Sequence, residues 1–152
     1  MTYHADLTGA DLHEPKGVDA AAANKVYVTD GAGSGTFQTH YKTDTYVAHI
    51  SNVGAASSSY VVAPEAGTIS KIYSVVDGST GGADTILTVS IGGVTVTNGT
   101  ITIATAAVAG EVDEATPTAN NTVTAGQAIK VESDGGTTGT PGCRVSFLIT
   151  RS

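Results

Sequence analysis

Valine and isoleucine together supply 26 of this chain's 152 residues, whereas leucine supplies only 4, and threonine adds a further 24. That ratio constrains the fold more than any other feature. Side chains branched at Cβ lose χ1 freedom against the preceding turn of a helix and pack well on a pleated surface, whereas leucine is the usual apolar choice in a helix. The expected fold is therefore all-β. Val, Ile, Leu and Phe total 32 residues, close to the ~20% below which chains tend not to hold a packed core. The length suits one ordinary domain with an arm attached, and its core should be thin and built from small residues.

From about residue 46 the strands can be read individually, separated by Gly, Asp, Asn and Pro clusters at spacings that suit an antiparallel sandwich or barrel. Leu87, Val89 and Ile91 alternate with Thr88 and Ser90, and Val145, Phe147 and Ile149 alternate in the same way; each set should face one side of a sheet. Further strands are expected at 60–63, 68–76 and 129–133. Ala66-Gly67 and Ala125-Gly126 each stand at a turn just before an inward aliphatic, Ile69 or Ile129. Asn98-Gly99 lies between Val94-Thr95-Val96-Thr97 and Thr100-Ile101-Thr102-Ile103. This dipeptide favours the type I′ turn, which needs φ > 0 at both central residues. A two-residue hairpin is therefore expected, pairing Val96 with Ile101 and Val94 with Ile103 and placing the threonines at 95, 97, 100 and 102 on the other face. The whole reads as an antiparallel β-sandwich, a jelly roll or related fold, over residues 46–152.

Residues 1–45 differ. Acidic and basic residues are spread there among small ones, with few apolar side chains at any period. Val26-Tyr27-Val28 reads as a short strand, ended by a turn whose Gly31, Gly33 and Gly35 can take φ > 0. The Ala-rich run before it is too short to stand as a helix without a surface to pack on. The segment is expected to be an extended arm, ordered by contact with something else.

The chemistry such a chain can perform is limited. Seven basic residues against fourteen acidic ones give a formal charge of −7, which opposes binding to nucleic acid phosphates or an anionic membrane. No apolar run approaches the ~18 residues of a spanning helix, and the N-terminus lacks the regions of a secretory signal. A soluble protein made in a cytoplasm is expected. The single cysteine, Cys143, excludes an intrachain disulfide and a cysteine-cluster zinc site. The four histidines are at 4, 13, 40 and 49, so a nucleophile in the strand-rich part beyond residue 49 would have no imidazole base from that part. Carboxylates cluster at Glu111, Asp113 and Glu114 and at Asp77 and Asp84. Neither cluster matches the twelve-residue calcium loop, and with no Trp and two Phe aromatic platforms for a glycosidase are scarce. Gly31-Ala32-Gly33-Ser34-Gly35 has neither nucleotide-loop spacing. No cofactor, metal or catalytic residue is expected.

Leu12-His13-Glu14-Pro15-Lys16-Gly17-Val18, followed by Val26-Tyr27-Val28 and the Gly-rich turn, resembles an N-terminal signature of tailed-phage virion proteins, the head decoration (cement) and head-fibre group. The resemblance covers about residues 7–40, and the remainder is similar in style to the trimeric β domains of that group. Where members of the group often carry Trp after the turn, Thr36-Phe37 stands here. What the resemblance implies is a homotrimer on the outer surface of a phage head, binding the major capsid protein. The contact residues it implies are Leu12 to Val18, Val26, Tyr27, Val28 and Phe37. Pro15 would bias Glu14 toward extended geometry, and Lys16 would meet an acidic capsid residue. Three arms acting together raise avidity by roughly 10² to 10⁴. A thin core also favours burying one more face in an oligomer. The alternative is the trimeric receptor-binding head of a tail fibre or spike, touching a host glycan through loops 77–84, 110–120 and 134–142.

Overall fold

The computed structural model describes residues 25–32, 35–39 and 42–151. The chain divides into two compact units, with the boundary between Tyr41 and Lys42. Among the described residues of the first unit, β1 (Lys25–Thr29) is paired antiparallel with β2 (Gly35–Thr39) as a ribbon. The expected strand at Val26 to Val28 is β1, and Gly31 in the turn has φ 76°; β2, its polar partner, carried no apolar alternation that could announce it.

The second unit holds β3 (Lys42–Ile50), β4 (Ser57–Val62), β5 (Gly67–Val76), β6 (Thr85–Ile91), β7 (Val94–Ile103), β8 (Val112–Ala115), β9 (Thr122–Val123), β10 (Ala128–Ser133) and β11 (Cys143–Arg151). Because β3 begins at Lys42, residues 42–45 belong to the sheet rather than to the arm. One sheet has the order β4-β10-β6-β7, and the other β3-β11-β5-β8 with β9 also on β5, all antiparallel. The pairs are nested. First pairs with last (β3 with β11), second with second-last (β4 with β10), then β5 with β8 and β9, and finally β6 with β7. This is a long antiparallel ribbon rolled into a two-sheet sandwich, the jelly-roll arrangement.

The alternations read from sequence set the core. Leu87, Val89 and Ile91 of β6 and Val145, Phe147 and Ile149 of β11 are all buried. They meet Ile69 and Ile72 of β5 and Ile129 and Val131 of β10 in one apolar cluster. Ile69 and Ile72 both point inward although three residues apart, because the pairing of β5 with β11 shifts between Leu148 and Ile149. Ser70 takes up the extra residue and donates its hydroxyl to the Leu148 carbonyl at 3.1 Å. Phe147 is the largest side chain fully inside, so the core is as thin as the composition implies.

The expected hairpin at Asn98-Gly99 is not formed. β7 runs through it as one strand, and the turn from β6 to β7 is instead Gly92-Gly93, with φ of 58° and 83° and Ile91 opposite Val94. Two glycines satisfy the type I′ requirement as well as Asn-Gly does, and only the earlier turn lets β7 pair with β6 along its length. Asn98, with φ 55°, sits in a bulge, because the register shifts between Thr88 and Ser90. The bulge is bound from the side: the Thr97 amide donates to the Ala119 carbonyl at 2.9 Å and the Asn98 amide group to Thr118 Oγ1 at 3.1 Å. The facing was nonetheless right for seven of the eight side chains in question: Val96, Ile101 and Ile103 are buried, and the threonines at 95, 97, 100 and 102 are exposed. Val94, expected inside, is 54% exposed.

Ser74 points into the core with its hydroxyl buried and unbonded. An unsatisfied buried hydroxyl costs ~1–3 kcal/mol, so Ser74→Ala should raise the urea midpoint, and a lowered midpoint would mean that the hydroxyl is bonded in solution.

Candidate functional surfaces

The arm residues Leu12, His13, Glu14, Pro15, Lys16, Gly17 and Val18, together with Gly33, lie outside the described residues. Val26, Tyr27, Val28 and Phe37 are all on the β1–β2 ribbon. Tyr27 is paired with Phe37 across it, and their rings meet edge to face with centroids 5.2 Å apart, a geometry worth ~0.5–1.5 kcal/mol beyond area burial. Val26 and Val28 occupy the opposite face, opposite Gln38 and Thr36, and are 40% and 41% exposed. Gly35 starts β2 so close to β1 that a Cβ there would collide with the Val28 carbonyl oxygen. Both faces of the ribbon thus carry apolar side chains, Tyr27 and Phe37 on one and Val26 and Val28, beside the polar Gln38 and Thr36, on the other.

The outer face of the five-stranded sheet has an apolar centre. Val47 of β3, Ser146 of β11, Tyr73 of β5 and Glu114 of β8 stand in one cross-strand row. The next row along is His49, Arg144, Val75 and Val112. Val47, Tyr73 and Val112 are exposed. At the margin, Lys71 donates to Glu114 at 2.7 Å, a hydrogen bond that raises the lysine pKa. Threonines 43, 45 and 68 and Thr150 extend this face toward the first residues of β3.

The loops at one end of the sandwich are closed by their own residues. The Asp77 carboxylate accepts the Gly142 N–H at 2.6 Å, Asp84 accepts that of Thr105 at 2.7 Å, and Glu111 accepts that of Val108 at 3.1 Å. Gly81 and Thr138 bind each other's loops through the Thr138 N–H at 2.8 Å. Asp77, Asp84 and Glu111, three of the clustered carboxylates, are thus tied to backbone donors. Asp113 has its pKa raised, first by burial and then by Glu111. Among the described residues no group of three or more His, Cys, Asp or Glu is placed to hold a metal ion, and no helix is long and apolar enough to cross a membrane.

Cys143 is wholly buried rather than half-buried, and burial pushes its thiol pKa from 9.0 up to about 11. Because the folded-state value is the higher one, stability linked to this thiol is intact below pH 9.0 and is lost between there and about 11. A disulfide-exchange reagent at pH 8 should leave Cys143 unmodified in the native protein and label it fully in denaturant. Rapid native labelling would contradict the burial.

Compared with models of known protein families and with curated proteins, the sequence matches none.

Proposed function

We propose that this chain is a virion structural protein, a capsid decoration protein that binds the outer surface of a phage head as a homotrimer and stabilises it. The observation that carries the reading is the β1–β2 ribbon. Two strands alone are marginal in water, and this ribbon, which belongs to the unit of residues 1–41 and not to that of the sandwich, leaves Val26 and Val28 substantially exposed. Such a ribbon gains stability by lying on another surface. Its Val26, Tyr27, Val28 and Phe37 are among the residues that the phage signature implies for a capsid contact, and the signature's other contact residues, Leu12 to Val18, come before it in the chain, separated by residues 19–24. The major capsid protein is the partner, and the chain works by binding and not by catalysis.

The trimer uses the Thr- and Val-rich outer face of the five-stranded sheet, whose exposed apolar centre is burial left over from a thin core. Trimerisation then multiplies a weak contact of one arm. Val47→Lys should convert trimer to monomer in light scattering at micromolar concentration. A monomeric parent protein would overturn the trimer.

Undecorated heads should sediment with the full chain, and deletion of residues 1–40 should reduce bound protein to background. If the truncated protein binds heads as well as the full chain does, the arm has no part in binding. Binding to host cells in place of heads would favour the receptor-binding alternative.

A further inference from the structure

The outer face of the four-stranded sheet differs in character from that of the five-stranded sheet. A groove of about 450 Å³ lies across it, within the ~300–1,000 Å³ range of small-ligand sites. Its floor is a straight cross-strand row, Tyr60 of β4, Lys130 of β10, Ser90 of β6 and Thr95 of β7, about 14 Å long at the usual ~4.8 Å between strands. Tyr60 is 63% exposed, so at one end a ring is offered to solvent over a polar floor. Thr88 and Gln127 also line the groove.

Two features show which ligand chemistry fits. The first is the polar inventory. Among the described residues the hydroxyls of Thr88, Ser90 and Thr95 bond to no protein group, leaving each free as both donor and acceptor. Gln127 is held in one orientation: its Oε1 accepts the Thr124 N–H at 3.0 Å and the Thr124 hydroxyl at 3.3 Å. The backbone N–H can only be met by the carbonyl oxygen, so the Nε2 donor is turned outward. Nε2 is close enough to Gly92 that a Cβ added there would lie 3.2 Å from it. The second feature is charge. The groove's cation and anion neutralise each other, with Lys130 donating to Glu132 at 2.7 Å, and the whole chain is at −7. An anionic ligand would have to break that pair, and an apolar ligand would leave the row of hydroxyls unpaired.

We propose that this groove binds a short stretch of a neutral saccharide chain, one ring stacking its C–H face on Tyr60 and its hydroxyls meeting Ser90, Thr95 and the Gln127 amide. Tyrosine suits this because it offers large rigid area with a polar tip. The site is open, so a single copy binds weakly, and a repeating polymer engaged by several copies is the natural target. The proposal stands on the groove alone and does not depend on the capsid reading.

The test is electrophoresis of the full chain through native gels containing dextran, glycogen, galactomannan or laminarin, with alginate as a polyanionic control. Retardation by at least one neutral polymer is expected. Tyr60→Ala should weaken it at least tenfold, and Val108→Ala, in the loop between β7 and β8, should leave it unchanged. Gln127→Glu keeps the acceptor for Thr124 while deleting the outward donor, and should weaken retardation at least fivefold with the urea midpoint unaltered. Absence of retardation in all four neutral gels, retardation in alginate alone, or equal retardation of Tyr60→Ala overturns the site. A changed sedimentation coefficient in Tyr60→Ala would also do so, because the groove would then be an interface between copies.

Discussion

Replacing Phe147 with alanine should lower the thermal midpoint by roughly 10–20 °C, corresponding to ~3–5 kcal/mol for a buried phenylalanine truncated to a methyl group. Phe147 is fully buried on β11, the strand that β3 and β5 flank on either side. Its cross-strand partners are Tyr46 and Ile72, and most of the remaining core is Val, Ile and Ala, short side chains that reach little of the space, Val and Ile being stiff at χ1 as well. The adjacent Leu148 points to the outer face and is only partly buried, so Leu148→Ala should cost about 1 kcal/mol. Urea denaturation of both variants decides the matter: if they lose equal stability, β11 does not present Phe147 inward. Against a total of ~5–15 kcal/mol for a domain, the Phe147 loss alone would leave a measurable unfolded population near physiological temperature.

The second large effect is expected at Gly136. A Cβ there would fall inside the Asp84 carbonyl oxygen, a backbone atom that cannot step aside. The surrounding hydrogen bonds allow little retreat: the Gly136 N–H donates to Asp134 Oδ1 at 3.0 Å, the same oxygen accepts the Ile86 N–H at 3.0 Å, and the Thr137 N–H donates to the buried Thr85 hydroxyl at 2.8 Å. Overpacking of this kind costs ~1–3 kcal/mol, and displacing those bonds adds to it, so Gly136→Ala should lose about 3 kcal/mol or more. Gly110 provides the control. It has φ 88° and open space around its Cβ position, so Gly110→Ala carries only the ~1–2 kcal/mol cost of a left-handed backbone. A larger loss at Gly110 than at Gly136 would contradict the close approach of the 134–142 loop to β6.

The residues that announce the sandwich in the sequence are those whose alternation is enforced by one buried face, as in Leu87-Val89-Ile91 and Val145-Phe147-Ile149. Period-2 patterning reports facing, and facing was legible even in β7, where the pairing was not. The hairpin at Asn98-Gly99 was misplaced because a local turn signal competes with the whole ladder. Gly92-Gly93 offers the same φ values six residues earlier, and the six or more cross-strand pairs between β6 and β7 decide between them. The Thr118-Ala119 segment that supports the bulge comes from a distant part of the chain and leaves no mark near residue 98. The groove was illegible for a related reason. Tyr60, Lys130, Ser90 and Thr95 are adjacent only through register across four strands, and each taken singly is an ordinary exposed residue. The loops named for a host glycan, 77–84 and 134–142, do come together, but their polar groups are spent on one another.

The nested pairing has a consequence for how the chain is made. β11, a nine-residue strand, lies between β3 and β5, so neither of those strands has this partner until β11 has left the ribosome. Within the sandwich, β6 and β7, joined by their two-glycine turn, can close early through local contacts, and the other pairs must wait for ever more distant segments. Assembly therefore runs from the middle of the sequence outward, and a chain released before Cys143 would carry unpaired strand edges in place of its five-stranded sheet.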